Sequence, residues 1–178
     1  MKYIPILALL ICSTVLSQNK YITKTGSINF EASVPSFEEV KAENNSVTAI
    51  LNTENGDIAA LALVKGFRFK NALMEEHFNE NYAESDTFPK ARFKGKIEGF
   101  DFEKLETTYN LTGELSFHGK TKTIDNISIS VSILGDKILL QGSFLTKASD
   151  FDIDIPKIVR NKITDDISVT FQFELLKK

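Results

Sequence analysis

The chain has 178 residues, enough to bury a core of its own and within the range of one domain. Hydrophobic residues make up 42% and charged residues 25%, the ordinary balance of a globular protein, and the 14 Phe without a single Trp supply purely apolar rings suited to a core or a greasy cavity. The formal charge of −3 gives no electrostatic reason to bind nucleic acid or an anionic membrane surface.

The N-terminus reads as a leader. Met1-Lys2 is a short positive start, Ile4–Ile11 is apolar apart from Pro5, and Val15 and Ser17 are acceptable residues before a cut. A secretory signal peptide over residues 1–17 is expected, cleaved near Ser17, with residues 18–178 as the mature domain in the periplasm or outside the cell. The apolar run is too short for a membrane span, so no stable membrane insertion is expected. Cys12, the only cysteine, follows bulky Ile11 where a lipidation signal would place a small residue. The mature chain then has no disulfide, and its 20 basic and 24 acidic residues leave a charge of −4.

Period-two alternation dominates the rest, as in strands with one buried face. In chain order, strands are expected at Ser27–Ala32, at Ser46–Leu51 and Ile58–Val64 joined by a hairpin tip at 52–57, and at Phe67–Phe69. Leu73, Met74, His77, Phe78 and Tyr82 then fall at helical spacing, predicting a short helix near residues 72–83. Ala91, Phe93, Gly95, Ile97 and Gly99 alternate with charged residues; Tyr109, Leu111, Gly113, Leu115 and Phe117 alternate with polar ones. His118-Gly119-Lys120 turns the chain into Ile127–Ile133, and Leu134-Gly135-Asp136-Lys137 is a tight hairpin into Ile138–Phe144. Residues 147–166 form a long irregular loop containing Pro156. Ile167, Val169, Phe171, Phe173 and Leu175 mark the last strand. About eight evenly spaced strands predict an all-β, single antiparallel barrel or sandwich; closure removes exposed edges, and Gly95, Gly99, Gly113 and Gly142 supply bends.

Chemistry-bearing residues are few. Without cysteine there is no thiol nucleophile or thiolate metal site. His77 and His118 form no ligand pair; His118 is expected at the surface beside its turn, and His77 as a packing residue or at a cavity mouth. Asp150, Asp152 and Asp154 share one side of an extended segment, but the glycine and closing glutamate of a calcium loop are missing, so they read as a solvated acidic face. Asp165-Asp166 reads as turn chemistry. No phosphate-binding glycine motif occurs, and the Asn-x-Ser/Thr triplets at Asn44, Asn110 and Asn126 carry no function. No catalytic residue, metal site or cofactor is expected, and the chain is not expected to be an enzyme. A barrel of this size is either filled by side chains or holds one small ligand, and pattern alone does not choose.

Several features in succession resemble the YceI-like family, the lipocalin-like polyisoprenoid-binding proteins. Residues 77–93 read His-Phe-x₃-Tyr-x₅-Phe-Pro-x-Ala-x-Phe, residues 111–123 read Leu-Thr-Gly-Glu-Leu-Ser-Phe-His-Gly-Lys-Thr-Lys-Thr, and Ser149-Asp150-Phe151 with Ile155 precede Ile163-Thr164-Asp165-Asp166-Ile167-Ser168-Val169. The resemblance spans roughly residues 21–176. The chain departs from it where Tyr21, Lys24 and Ser27 occupy the first strand, and where Glu75-Glu76 replaces an Arg-Asp pair before the helix histidine. The resemblance implies an exported bacterial lipocalin-like barrel whose elongated apolar channel holds an isoprenoid or other fatty amphiphile, as carrier or store. Alternation then assigns Phe67, Phe69, Phe93, Leu115, Phe117, Ile129, Val131, Phe144, Phe171 and Phe173 to the channel, with His77 and Phe78 at its mouth. The rival expectation is a filled barrel acting as an interaction or stress-response module. A lipid-like molecule is the expected partner, nucleic acid is not, and a homodimer is left open.

Overall fold

The structure, a computed structural model, describes residues 19–34 and 39–178. The leader over residues 1–17, with Cys12, lies outside the described residues.

Among the described residues, nine antiparallel strands form one sheet: β1 (Lys20–Ser33), β2 (Lys41–Asn52), β3 (Asp57–Leu63), β4 (Arg68–Phe69), β5 (Lys90–Ile97), β6 (Thr108–Phe117), β7 (Lys120–Leu134), β8 (Lys137–Lys147) and β9 (Ile163–Lys177). Their spatial order is β1-β9-β8-β7-β6-β5-β3-β2-β4, and β1 also pairs with β2. That extra pairing closes eight long strands into a barrel, while β4 adds a two-residue rung beside Ala42 and Glu43 of β2. Closure consumes the edge groups that an open sheet would present to other chains.

The alternation in the sequence becomes the inner face. In β6, Tyr109, Leu111 and Gly113 are buried between exposed or half-buried neighbours; in β8, Ile138 and Leu140 are. In β7 the period slips once. Leu111 pairs with Ile127 but Gly113 with Ile124, and Asn126 takes φ 55° in the resulting bulge. Ile124 and Ile127 both therefore point inward.

Several boundaries differ from the sequence expectation. β1 and β2 extend well beyond Ser27–Ala32 and Ser46–Leu51, because β1 is held on both sides, by β2 and β9. Phe67 precedes its strand, and only Arg68–Phe69 pairs. Gly99 lies outside β5, in a turn at φ 64°. The irregular stretch is confined to residues 148–162, since β9 begins at Ile163; Asp165 and Asp166 are strand residues, Asp166 opposite Lys147.

The barrel is asymmetric along its axis. At one end are the short connections 53–56, 98–107 and 135–136, and there Leu51, Ile97, Leu111, Ile138, Leu140 and Leu175 are essentially inaccessible. The other end carries the longer excursions: residues 64–89 between β3 and β5, and 148–162 between β8 and β9. The first includes helix α1 (Ala72–His77), continued by a wider π-type turn over Phe78–Tyr82.

Candidate functional site

The two ends do different things. The solid end is a plug of interdigitated aliphatic side chains; behind the excursions at the other end lies a cavity of about 410 Å³. Ile28 and Phe30 of β1, Ala60 of β3, Phe93 of β5, Leu115 of β6, Phe144 of β8, and Val169, Phe171 and Phe173 of β9 wall it. The excursions roof it, through Phe67 and Phe69, through Met74, His77, Phe78 and Tyr82 of the helical segment, and through Phe151, Ile153, Ile155 and Val159.

Glycine keeps this space open. A Cβ on Gly142 would stand 2.6 Å from the Phe171 ring, one on Gly26 would stand 2.6 Å from the Phe173 ring, and one on Gly95 would stand 2.7 Å from the Phe93 ring. Gly113, directly opposite Gly95, is covered by the same Phe93 ring. The rings lie flat against the wall where side chains are missing, so large residues line the lumen without filling it. Phe171 and Phe173 stack with centroids 5.3 Å apart, and Phe144 lies 6.5 Å from Phe171.

A second aromatic group holds the roof. Phe30, Phe67, Phe69 and Phe78 pack with centroid separations of 5.2–6.0 Å, joining β1, the β3–β5 excursion and the helical segment. Glu75 braces α1 from outside: its carboxylate accepts from Arg68 at 2.9 Å and from the Phe69 amide at 3.1 Å. Asn71 caps the helix by accepting from the Leu73 amide. The Glu75-Glu76 departure noted in the sequence thus supplies a structural tie.

The other side of the mouth is pinned through the 3₁₀ turn Ala148–Phe151. Lys122 of β7 donates to Asp150 at 2.8 Å, and Lys120 lies 2.5 Å from Asp152. The Ser149 amide and hydroxyl both donate to Asp165, at 2.9 and 2.7 Å. The hydrogen bond from Lys122 holds the Asp150 carboxyl below its ordinary pKa, against partial desolvation and with help from the Lys122 and Lys147 charges. Asp154 pairs with Arg160 at 3.3 Å. The acidic face expected at Asp150, Asp152 and Asp154 is therefore a set of ion-paired rim residues. Among the described residues there is no group of three or more His, Cys, Asp or Glu side chains placed to hold a metal.

His118 corrects the sequence expectation of a surface imidazole. Its side chain is only 13% exposed, its Nδ1 lies 2.8 Å from the Phe151 carbonyl, and its ring packs edge-on against Phe88 at 4.7 Å. A carbonyl only accepts, so Nδ1–H is the donor in this contact. Nε2 then faces Glu84 at 3.4 Å. The signal lay in the tight turn: His118 at φ 48° and Gly119 at φ 73° fold the ring back under the returning 148–151 segment.

The cavity brings together Phe67, Phe69, Phe93, Leu115, Phe117, Phe144, Phe171 and Phe173, with His77 and Phe78 at the roof. Ile129 and Val131 do not line it. They sit on the inner face but deeper, 1% and 3% exposed, in the solid plug. Alternation reveals which face a residue occupies, not how far along the barrel axis it lies. Ile28 and Phe30 escaped the sequence reading although they alternate; Phe151, Ile153 and Ile155 alternate with the three aspartates but were not assigned to the channel, and their segment is irregular instead of a strand. Thr146, inward between Phe144 and the rim, was also missed; its hydroxyl oxygen is buried with no hydrogen-bond partner.

A closed eight-stranded antiparallel barrel, plugged at one end and hollow at the other, with a helical segment across the opening, is the architecture of a small apolar-pocket barrel protein. The YceI-like domain family model matches residues 20–175, and the chain belongs to that family. Its fold is similar to a polyisoprenoid binding domain from Saccharophagus degradans, implicated in plant cell wall breakdown (TM-score 0.76, 16% identity, covering 90% of this chain and 99% of that one). It is also similar to BcnA of Burkholderia cenocepacia (TM-score 0.69, 18% identity, 84% and 95%) and to the YCEI protein of Campylobacter jejuni (TM-score 0.65, 17% identity, 79% and 86%). No curated protein sequence matches the chain.

Proposed function

We propose that this protein is an exported, non-catalytic carrier or store for an isoprenoid or other lipid-like amphiphile. One observation carries this reading: a cavity of about 410 Å³ walled almost wholly by aliphatic and aromatic side chains. That volume falls in the range of about 300–1,000 Å³ typical of small-molecule sites. Each buried methylene contributes about 0.8 kcal/mol, so a hydrocarbon chain binds such a wall with few polar contacts. The described likeness to a polyisoprenoid binding domain supports the same ligand class. A filled-barrel interaction module is disfavoured, since the Phe rings that would plug the lumen lie against its wall.

The rim groups suit structure better than turnover. Among the described residues, Lys122 and Lys120 pair with Asp150 and Asp152, and His118 bonds the Phe151 carbonyl, so these groups hold the rim together. No helix among the described residues is long and apolar enough to cross a membrane. Whether it works singly or as a homodimer, each barrel contains its own cavity.

The test is mass spectrometry of lipids extracted from protein purified natively without detergent, paired with uptake of a fluorescent fatty probe by delipidated protein. A defined co-purifying lipid and saturable uptake are expected. Repeated absence of both overturns the carrier reading. N-terminal sequencing of the exported product, expected to begin near Gln18, tests the export part separately.

A further inference from the structure

We propose that the lip of the cavity is a docking surface for an anionic lipid bilayer, so that cargo passes between bilayer and lumen without crossing water. The inference rests on the binding function above and deepens it by naming the surface at which the ligand is exchanged.

The apolar lining does not stop at the mouth. Leu63, Leu73, Leu145 and Ile158 are 53–86% exposed, and each adjoins in the chain a residue that borders the lumen: Ala62, Met74, Phe144 and Val159. They stand on four segments, the end of β3, α1, the end of β8 and the 3₁₀ turn Lys157–Val159, all at the open end of the barrel. Single exposed aliphatic residues are ordinary, but a set framing an apolar lumen marks an interaction site. At the plugged end Phe102, Ile133, Leu134 and Leu176 are exposed too, yet no residue beside them in the chain borders the cavity.

Charge at the lip favours a phosphate-bearing surface. Arg92, Lys147 and Lys162 border the lumen and are nevertheless exposed, so their charged ends reach water outside it. Among the described residues no Asp or Glu borders the lumen. The acids of the 148–162 excursion are paired, Asp150 with Lys122, Asp152 with Lys120 and Asp154 with Arg160, and Lys147 faces Asp166 at 3.8 Å. Lys157, next to Ile158, forms no ion pair among the described residues, nor do Lys162 and Arg92. Glu76 and Glu80 on the helical segment are likewise unpaired among the described residues, so the excess of cations lies on the Lys157–Lys162 side. The net charge of −3 is a sum over the whole surface, and charges beyond about 10 Å are screened. Aliphatic tips that enter the acyl boundary, flanked by lysines that meet phosphates, let a protein lie on a bilayer without spanning it.

The experiment follows transfer of a pyrene-labelled fatty alcohol from vesicles to delipidated protein, beside its affinity in vesicle-free solution, with thermal melts to establish folding. The probe is uncharged, so vesicle charge acts on the protein alone. Vesicles are phosphatidylcholine, with or without one-quarter phosphatidylglycerol. Wild-type transfer is expected to rise in proportion to protein concentration and to run about tenfold faster with phosphatidylglycerol. The double variant Leu73→Ser/Ile158→Ser is expected to slow transfer about tenfold at unchanged solution affinity, and Lys157→Glu to cut the phosphatidylglycerol gain to about twofold. Leu134→Ser, at a site as exposed as Leu73 but at the plugged end, is expected to change neither. Transfer independent of protein concentration, as for a probe that first dissolves in water, or unaltered in the double variant, overturns docking and leaves the carrier reading intact. A matching loss of solution affinity in the double variant makes these side chains part of the binding wall and also overturns docking. A wild-type dimer that the double variant dissociates, with transfer unaltered, assigns the lip to a second copy and overturns it as well. Wild-type protein that takes no probe from either source overturns the carrier reading, and the docking surface falls with it.

Discussion

Gly142 and Gly26 leave room for the Phe171 and Phe173 rings to settle onto the sheet. Replacing Gly142 by alanine puts a methyl group 2.6 Å from Phe171 Cζ and 2.8 Å from Ile129 Cγ2. One neighbour is the plug and cannot retreat, so the ring must tip into the lumen. Gly142→Ala is expected to cost about 1–3 kcal/mol, read by urea unfolding, and to lower fatty-probe capacity. Ala60 offers the complementary change: it faces the lumen from β3 with a small side chain. Ala60→Trp is expected to abolish uptake of long chains while retaining the fold, checked by displacement titration alongside circular dichroism. The sequence exposed this site unevenly. Phe93, Phe171 and Phe173 were legible because alternation marks the inward face. Ile129 and Val131 obey the same rule yet lie in the plug, since depth along the axis depends on strand stagger, which a period-two pattern does not encode.

At the scale of elements, the mouth is built from segments that lack strand pairing and are tied down by side chains instead. The 148–151 turn meets β7 through Lys122–Asp150 and Lys120–Asp152, β9 through Ser149–Asp165, and the β6–β7 turn through His118. His118→Ala removes a shielded hydrogen bond and the Phe88 contact together, and is expected to destabilise the protein by about 2 kcal/mol in urea unfolding. The Lys122–Asp150 tie carries a pH signature. The folded-state pKa of Asp150 is depressed below the ordinary 3.8, so its contribution is present above that value and lost as pH falls through the folded value. Lys122→Gln is therefore expected to lower stability at neutral pH and to converge with wild type in acid, checked by denaturant midpoints across a pH series. None of these ties was legible beforehand, because each joins residues distant in sequence, and alternation within a segment does not say which segments meet. The helix was legible, and Asn71 and Glu75 explain why it starts and sits where it does.

Taken as a whole, the molecule has one rigid half and one half held by roof contacts. β1 carries the closure, pairing with β9 at Tyr21–Ile22, Ser27–Glu31 and Ser33, and with β2 along most of its length. Hydrogen exchange should report this division. Amides of Leu111, Ile129, Leu140 and Leu175 are expected to exchange only with global unfolding, and those of residues 72–82 and 148–162 far sooner. The closed topology was legible from strand number and from the need to hide edges; the difference between the halves was not, because it arises from which loops are long.

That difference has a bearing on traffic. On the carrier reading proposed above, a pit plugged at its far end obliges its cargo to leave by the route it came, reversing its path with the last part inserted emerging first. Any recipient, whether another macromolecule or a lipid phase, must therefore present itself at the same face that met the donor, and a chain longer than the pit is deep will protrude there as a handle for whoever takes it.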